Sequence, residues 1–165
     1  MCCFPDLKGY RMRVEIRAAQ QDEHAAVMQV ARQSPYTRDF SNHIFSGETA
    51  YAKGWIRVAM HQERIVGFTC VRHKVREPST SLYFIGVDSE FRDKGIGSQL
   101  LEDLMQQCPN PCIAVNVMNE NEGALRFYAR HGFNSQGEAL KGKGVHLTKV
   151  WEGEKPASRF NSGRI

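Results

Sequence analysis

No stretch of the chain approaches the roughly 18 consecutive apolar residues that a membrane-spanning helix requires. Nor does an apolar segment follow the N-terminal charges as in a secretory signal. Both absences lead to the expectation of a cytoplasmic protein with no membrane partner. Long runs of one charge are missing too. The 22 Lys/Arg and 18 Asp/Glu leave +4, and residues 137–165, with six basic and three acidic side chains, carry +3 of it. Such a basic end is not a basic groove, and strong nucleic-acid binding shows as Lys/Arg gathered on one face, so a nucleic-acid partner is not expected. The five cysteines (Cys2, Cys3, Cys70, Cys108, Cys112) contain no Cys-x-x-Cys pair. That argues against a zinc ribbon or a redox dithiol and leaves free thiols as the expectation. His43, His73 and His146 include no pair at metal spacing, so they read as surface residues and no metal is expected.

What the chain does contain is enough apolar material for one core. A hydrophobic fraction of 41% in 165 residues fits a single domain, read here as residues 1–151 with a loose tail at 152–165. Met12–Ala18 alternates as an opening strand. Asp22 is placed to cap a helix running to about Ser34, where Pro35 stops it. Residues 39–52 read as a loop with a short irregular helix. Two runs, Trp55–Met60 and Ile65–Val71, flank the polar turn His61–Arg64 and form an antiparallel hairpin. A third strand covers Ser81–Val87. Ile96, Leu100, Leu101, Leu104 and Met105 recur at helical spacing up to Pro109. Ile113, Val115 and Val117 alternate as a strand, and Asn119 with Glu122 has capping-box spacing before a helix that closes at Gly132. Phe133–Glu138 and Val145–Trp151 form a last hairpin with Lys141 and Lys143 at its tip. Trp55 and Trp151 read as core anchors, and Cys108 and Cys112 as packing residues. The order implies a mixed α+β layer fold.

The most informative stretch runs from Val87 through Arg92, Lys94, Gly95, Ile96 and Gly97 to Ser98: strand, short loop, helix, with two glycines at the helix start. Such a junction binds anions, because the first N–H groups of a helix lack intrahelical acceptors and carry partial positive charge, and glycine lets a phosphate approach the backbone. Arg92 or Lys94 can add a charged contact. The spacing is neither that of a P-loop nor that of the dinucleotide fingerprint.

Arg92-x-x-Gly95-x-Gly97 after Val87, a strand at 112–117, and then Asn121-x-x-Ala124-x-x-Phe127-Tyr128-x-x-x-Gly132-Phe133 together resemble the GNAT superfamily of acetyl-CoA-dependent N-acetyltransferases over about residues 12–151. The resemblance implies the GNAT fold, a mostly antiparallel sheet splayed between strands 4 and 5 and flanked by helices. It also implies that the backbone of 92–98, with Arg92, Gly95, Gly97 and Ser98 matching, holds the coenzyme A pyrophosphate. Ile85 and Val87 would meet the pantetheine arm through their main chain, with Gly86 suiting a bulge, and Asn121 would contact the same arm. Tyr128 matches the tyrosine near the thioester sulfur. The implied cosubstrate is acetyl-CoA, the implied partner an amine acceptor, and a homodimer is the family's common assembly.

Acetyl transfer needs a deprotonated amine, an oxyanion donor and a proton for the departing thiolate. Tyr128 is the acid by resemblance, although on its apolar helix face it could equally be core, and Asn121 could be a helix-start residue alone. A base is not evident. The positions that match the family's strand carboxylates are Ser81 and Asn116, which leaves a water chain, His43 or Glu77, or no dedicated base. The expected reaction is direct attack in a ternary complex on acetyl or a longer acyl group. Small amines, protein amines and aminoacylated RNA all qualify as acceptors, RNA least. The alternative is a GNAT-like module that binds coenzyme A or a protein without catalysis.

Overall fold

The structure is a computed structural model that describes residues 11–42, 47–74 and 76–152. His43, Cys2, Cys3 and the expected tail beyond Glu152 lie outside the described residues. Strands are β1 Glu15–Ala18, β2 Ile56–His61, β3 Arg64–His73, β4 Thr80–Val87, β5 Cys112–Met118, β6 Asn134–Ala139 and β7 Gly144–Val150. Helices are α1 His24–Ala31, α2 Glu48–Ala52, α3 Ile96–Gln107 and α4 Glu122–Arg130. The strand order is β1-β2-β3-β4-β5-β7-β6, with β4 and β5 parallel. Together they form a mixed α+β layer arrangement, as the order of elements in the sequence implied. By internal packing the chain divides into two units, one of residues up to Cys70 with Phe84–Glu102, the other of Val71–Tyr83 with the residues from Asp103 on.

In the first unit, α1 buries Val27, Met28, Val30 and Ala31 against Ile56, Val58 and Phe68. The opposite sheet face joins Ala59 and Val66 to Ile96 and Leu100 of α3, with Ile85 and Val87 packed on them. The β2–β3 connection is a two-residue turn in which both Gln62 (φ 47°) and Glu63 (φ 64°) take the left-handed conformation, the geometry that matches the twist of paired strands.

Several boundaries differ from the sequence reading, each for a local reason. The first strand starts at Glu15 rather than Met12, because the preceding residues bond elsewhere: Met12 N–H donates to Lys94 O (2.8 Å) and Gln99 Nε2 donates to Met12 O (2.6 Å). Asp22 does not cap α1. Glu23 reaches back to the Gln20 N–H (2.8 Å) and opens the helix through one 3-10 turn, while its carboxylate also pairs with Arg17. Residues 39–52 hold a 3-10 turn at Arg38–Asn42 and α2. Asn121, not Asn119, caps α4, accepting from Ala124 N–H (3.2 Å), whereas Asn119 bonds Lys143 O and Gly142 O across the last hairpin.

In the second unit, Ile113, Val115 and Val117 are buried and Asn116 between them is exposed. β5 pairs with β7 from Cys112↔Val150 to Met118↔Gly144. Gly132, at φ +83°, closes α4 in the left-handed conformation that favours glycine, and the Lys149 ammonium donates to the part-buried carbonyl of His131 there. Trp55 and Trp151 are half-buried rather than central. Burial pushes the Cys70 and Cys108 thiols up to about 12, so both stay protonated packing groups at neutral pH. No helix among the described residues is long and apolar enough to cross a membrane.

Candidate active site

The loop from Asp88 to Ser98 joins β4 to α3, and its shape is held from behind. Asp88, only 4% exposed, follows β4 directly and donates its N–H to Val66 O on β3 (2.8 Å). One carboxylate oxygen caps the 3-10 turn Ser89–Phe91 by accepting from Glu90 N–H (3.0 Å). The other accepts from Arg64 Nη2 (3.0 Å) and Gln33 Nε2 (3.2 Å). Gln33 Oε1 in turn accepts from Ser89 N–H (2.7 Å). Burial alone would raise this carboxyl's pKa. The Glu90 N–H, the Gln33 amide and the Arg64 guanidinium outweigh it and hold the group below the ordinary aspartate range.

Beyond the clamp the chain turns twice through positive φ, at Asp93 (62°) and Gly95 (76°), and enters α3. A Cβ at Gly95 would stand 2.9 Å from Arg11 Cγ, so this glycine answers both a conformational and a spatial demand. Ile96 is buried, which anchors the helix start in the core and leaves only its backbone for a ligand. Ile96 and Gly97 fall in the first turn of a 12-residue helix, where N–H groups have no intrahelical acceptor. Arg92 is exposed and folds back to donate to Val87 O (3.3 Å), and Lys94 is half-buried. This element suits a diphosphate: oriented amides, glycine where the backbone must be approached, and cations beside it.

The β4–β5 ladder consists of Thr80↔Ile113, Ser81↔Ala114 and Leu82↔Val115. Ile85 and Val87 lie past its end, as does Asn116 on β5. The short ladder agrees with the expected splay. Gly86 has a spatial reason to be glycine: a Cβ there would meet Phe68 Cε1 at 2.8 Å.

Tyr128 of α4 is 3% exposed, its ring packed edge-on against Phe127 and Phe133 at centroid distances of 5.2 and 5.0 Å. Burial raises its phenol's pKa well above the ordinary value, so it is protonated at neutral pH. Asn121, three residues past β5's last pair, spends its side-chain oxygen on the α4 cap. Of the residues weighed as a base, Ser81 is half-buried in the ladder. Glu77 is paired with Lys74 (2.8 Å) on an exposed loop, and that hydrogen bond holds its carboxyl below the ordinary range. Asn116 carries a partner that sequence reading set aside as a surface residue: His146 Nδ1 lies 2.7 Å from Asn116 Oδ1. Gln33, Arg64 and His146 were all missed. Each lies tens of positions from what it touches, and no spacing signal marks such contacts.

Comparison with known families matches residues 15–133 to the acetyltransferase (GNAT) family. The chain is 48% identical over 139 residues to the 5-NmdU N-acetyltransferase of Pseudomonas phage PaMx11, covering 84% of this chain and 99% of that one. Among solved structures, the PaiA N-acetyltransferase of Thermoplasma acidophilum in complex with coenzyme A superposes with a TM-score of 0.65 at 18% identity, covering 85% of this chain and all of the other. The diaminobutyrate acetyltransferase EctA of Paenibacillus lautus gives a TM-score of 0.68 at 17% identity over 84% of this chain and 95% of its own. At those identities the two structures show a shared fold. The family match over most of the chain shows more: this chain belongs to the GNAT family and is an acetyl-CoA-dependent N-acetyltransferase that acetylates an amine.

Proposed function

We propose that the acceptor is an amine carried by a nucleotide base, 5-NmdU or a close analogue, attacked directly by its nitrogen in a ternary complex with acetyl-CoA. The observation that carries the acceptor is the 48% identity to the phage 5-NmdU N-acetyltransferase, which spans 99% of that enzyme. The scarcity of clustered Lys/Arg is compatible with it, since acetylating one base requires a pocket for that base and not a long groove along a phosphate backbone.

In this reading the main chain of 92–98 holds the coenzyme pyrophosphate, with Arg92, Lys94 and Ser98 beside it. The backbone of Ile85 and Val87, beyond the β4–β5 ladder, meets the pantetheine arm. Asn121 contributes main-chain or residual side-chain contact to that arm while capping α4. Tyr128, protonated at neutral pH, gives its proton to the thiolate as the C–S bond breaks and regains one from solvent.

The test is thiol release from acetyl-CoA with a panel of amines: 5-NmdU, L-2,4-diaminobutyric acid, a lysine peptide and a peptide N-terminus. The expected outcome is a kcat/KM for 5-NmdU at least a hundredfold above the others, and a reversed order removes the nucleotide acceptor. Tyr128→Phe is expected to lower kcat by roughly 10²-fold, the lower end for a lost general acid, while calorimetry finds the same coenzyme A affinity. Full activity in that variant removes the acid assignment.

A further inference from the structure

We propose that His146 is the base that deprotonates the acceptor amine and that Asn116 is its positioning residue. This rests on the acetyl-transfer reading above, in which the pantetheine arm meets the backbone of Ile85 and Val87, past the end of the β4–β5 ladder. Asn116 is the first β5 residue beyond the last ladder pair, Leu82↔Val115, and His146 is its cross-strand partner on β7. Both side chains are at the surface of the strand pair, joined by the 2.7 Å contact between Nδ1 and Oδ1.

The contact fixes which nitrogen works. A carboxamide oxygen can only accept, so Nδ1 of His146 carries the hydrogen and Nε2 keeps its lone pair. Asn116 thus takes the orienting part that a carboxylate takes in other catalytic pairs, without adding charge. The other described histidines are placed differently: His61, at the end of β2, lies against the Phe91 ring (5.7 Å between centroids). His24 bonds the Tyr51 hydroxyl beneath α2, His73 bonds Thr80 at the opposite end of the β4–β5 ladder, and His131 bonds a carbonyl inside the turn that ends α4.

Position on the strand sets the face that His146 uses. Lys149, three residues from His146 on β7, reaches the C-terminal end of α4, and side chains three apart on a strand point to opposite faces. His146 therefore faces away from α4, the helix that carries Tyr128.

The balance of the step is simple. Nε2 takes one proton from the ammonium form of the acceptor and passes it to water. The neutral nitrogen's lone pair then forms the C–N bond as the carbonyl π pair moves to oxygen. Collapse of that oxyanion breaks the C–S bond, the electron pair leaving on sulfur. The nitrogen loses its surplus proton and the thiolate gains one. Acetyl-CoA and R–NH3+ become the amide, coenzyme A thiol and one released proton.

The test measures steady-state kinetics and coenzyme A calorimetry on the full chain, with 5-NmdU or, if that is silent, the best amine of the panel. His146→Ala and the shape-preserving His146→Gln are both expected to lose at least a hundredfold in kcat at unchanged coenzyme A affinity. Imidazole in the buffer is expected to restore His146→Ala in part, which a merely structural role would not allow. Asn116→Asp, with only acceptor oxygens, retains activity within a few fold, while Asn116→Leu loses tenfold or more in kcat with little change in acceptor KM. A His146→Gln enzyme within threefold of wild type, a loss confined to acceptor KM, or failure of imidazole to restore His146→Ala overturns the proposal. If wild type itself binds no coenzyme A or acetylates no amine, it is the acetyl-transfer reading that fails.

Discussion

Replacing Asp88 tests how the loop between β4 and α3 is held. Its carboxylate receives three hydrogen bonds, from Glu90 N–H, Arg64 and Gln33, in a residue that is 4% exposed. Asp88→Ala removes an N-cap, worth about 1 kcal/mol, and leaves the Gln33 amide without its acceptor, another 1 kcal/mol or so. The Arg64 side chain is half exposed, at 53%, so its ion pair is screened and adds only about 0.5 kcal/mol. The expected loss is about 2 to 3 kcal/mol in urea unfolding at pH 7. Asp88→Asn keeps an acceptor for Glu90 N–H and is expected to lose about 1 kcal/mol. Because the folded carboxyl titrates below its unfolded value, the charge-dependent share of stability is present above the ordinary aspartate pKa of about 3.9. It is lost as pH falls through the lower folded value. Wild type and Asp88→Asn therefore converge in acid. Since the turn that Asp88 caps leads straight into residues 92–98, the Ala variant is also expected to bind coenzyme A about tenfold more weakly by calorimetry. A stability loss under 0.5 kcal/mol, or a wild-type advantage over Asp88→Asn that ignores pH, refutes the clamp.

Three further outcomes follow from local geometry. Gly86→Ala drives a Cβ to 2.8 Å from the fully buried Phe68 ring and is expected to cost about 1 to 3 kcal/mol. Adding Phe68→Leu should recover part of it, and strict additivity of the two changes in denaturant melts would show that the contact is not the cause. Gly95→Ala, strained at φ +76° and crowded by Arg11, is expected to weaken coenzyme A binding at least tenfold while leaving the far-UV circular dichroism spectrum intact. Glu63→Gly relieves a left-handed non-glycine residue in the β2–β3 turn and is expected to raise stability by about 1 kcal/mol, seen as a thermal midpoint several degrees higher.

Periodicity made most of the elements legible. The alternation of Ile113, Val115 and Val117 and the helical recurrence of Ile96, Leu100, Leu101 and Leu104 each correspond to an observed element, because burying one face imposes a spacing that any stable strand or helix must show. Ends were less legible. Asp22 and Asn119 are good capping residues in the right neighbourhood, but Gln20 with Glu23 and Asn121 do the capping, since which of several adjacent polar side chains meets the first N–H groups depends on how the incoming chain is tied down. Met12–Val14 alternates like a strand, yet its main chain pairs with Lys94 and Gln99, partners far along the sequence.

The same division holds for function. From its sequence alone the chain declares a glycine-bearing strand–turn–helix, with Arg92, Gly95 and Gly97 in order, and the tyrosine and asparagine of a following helix. These are local patterns, set by backbone conformation within a dozen residues, and local patterns survive in one dimension. Only the tertiary structure decided that Gln33 and Arg64 hold Asp88, that Phe68 demands a glycine at position 86, and that Asn116 meets His146 across two strands. Those contacts depend on strand register and side-chain direction over separations of 18 to 55 residues. Spacing carries no record of them, because any such pair becomes neighbours only once the sheet has assembled.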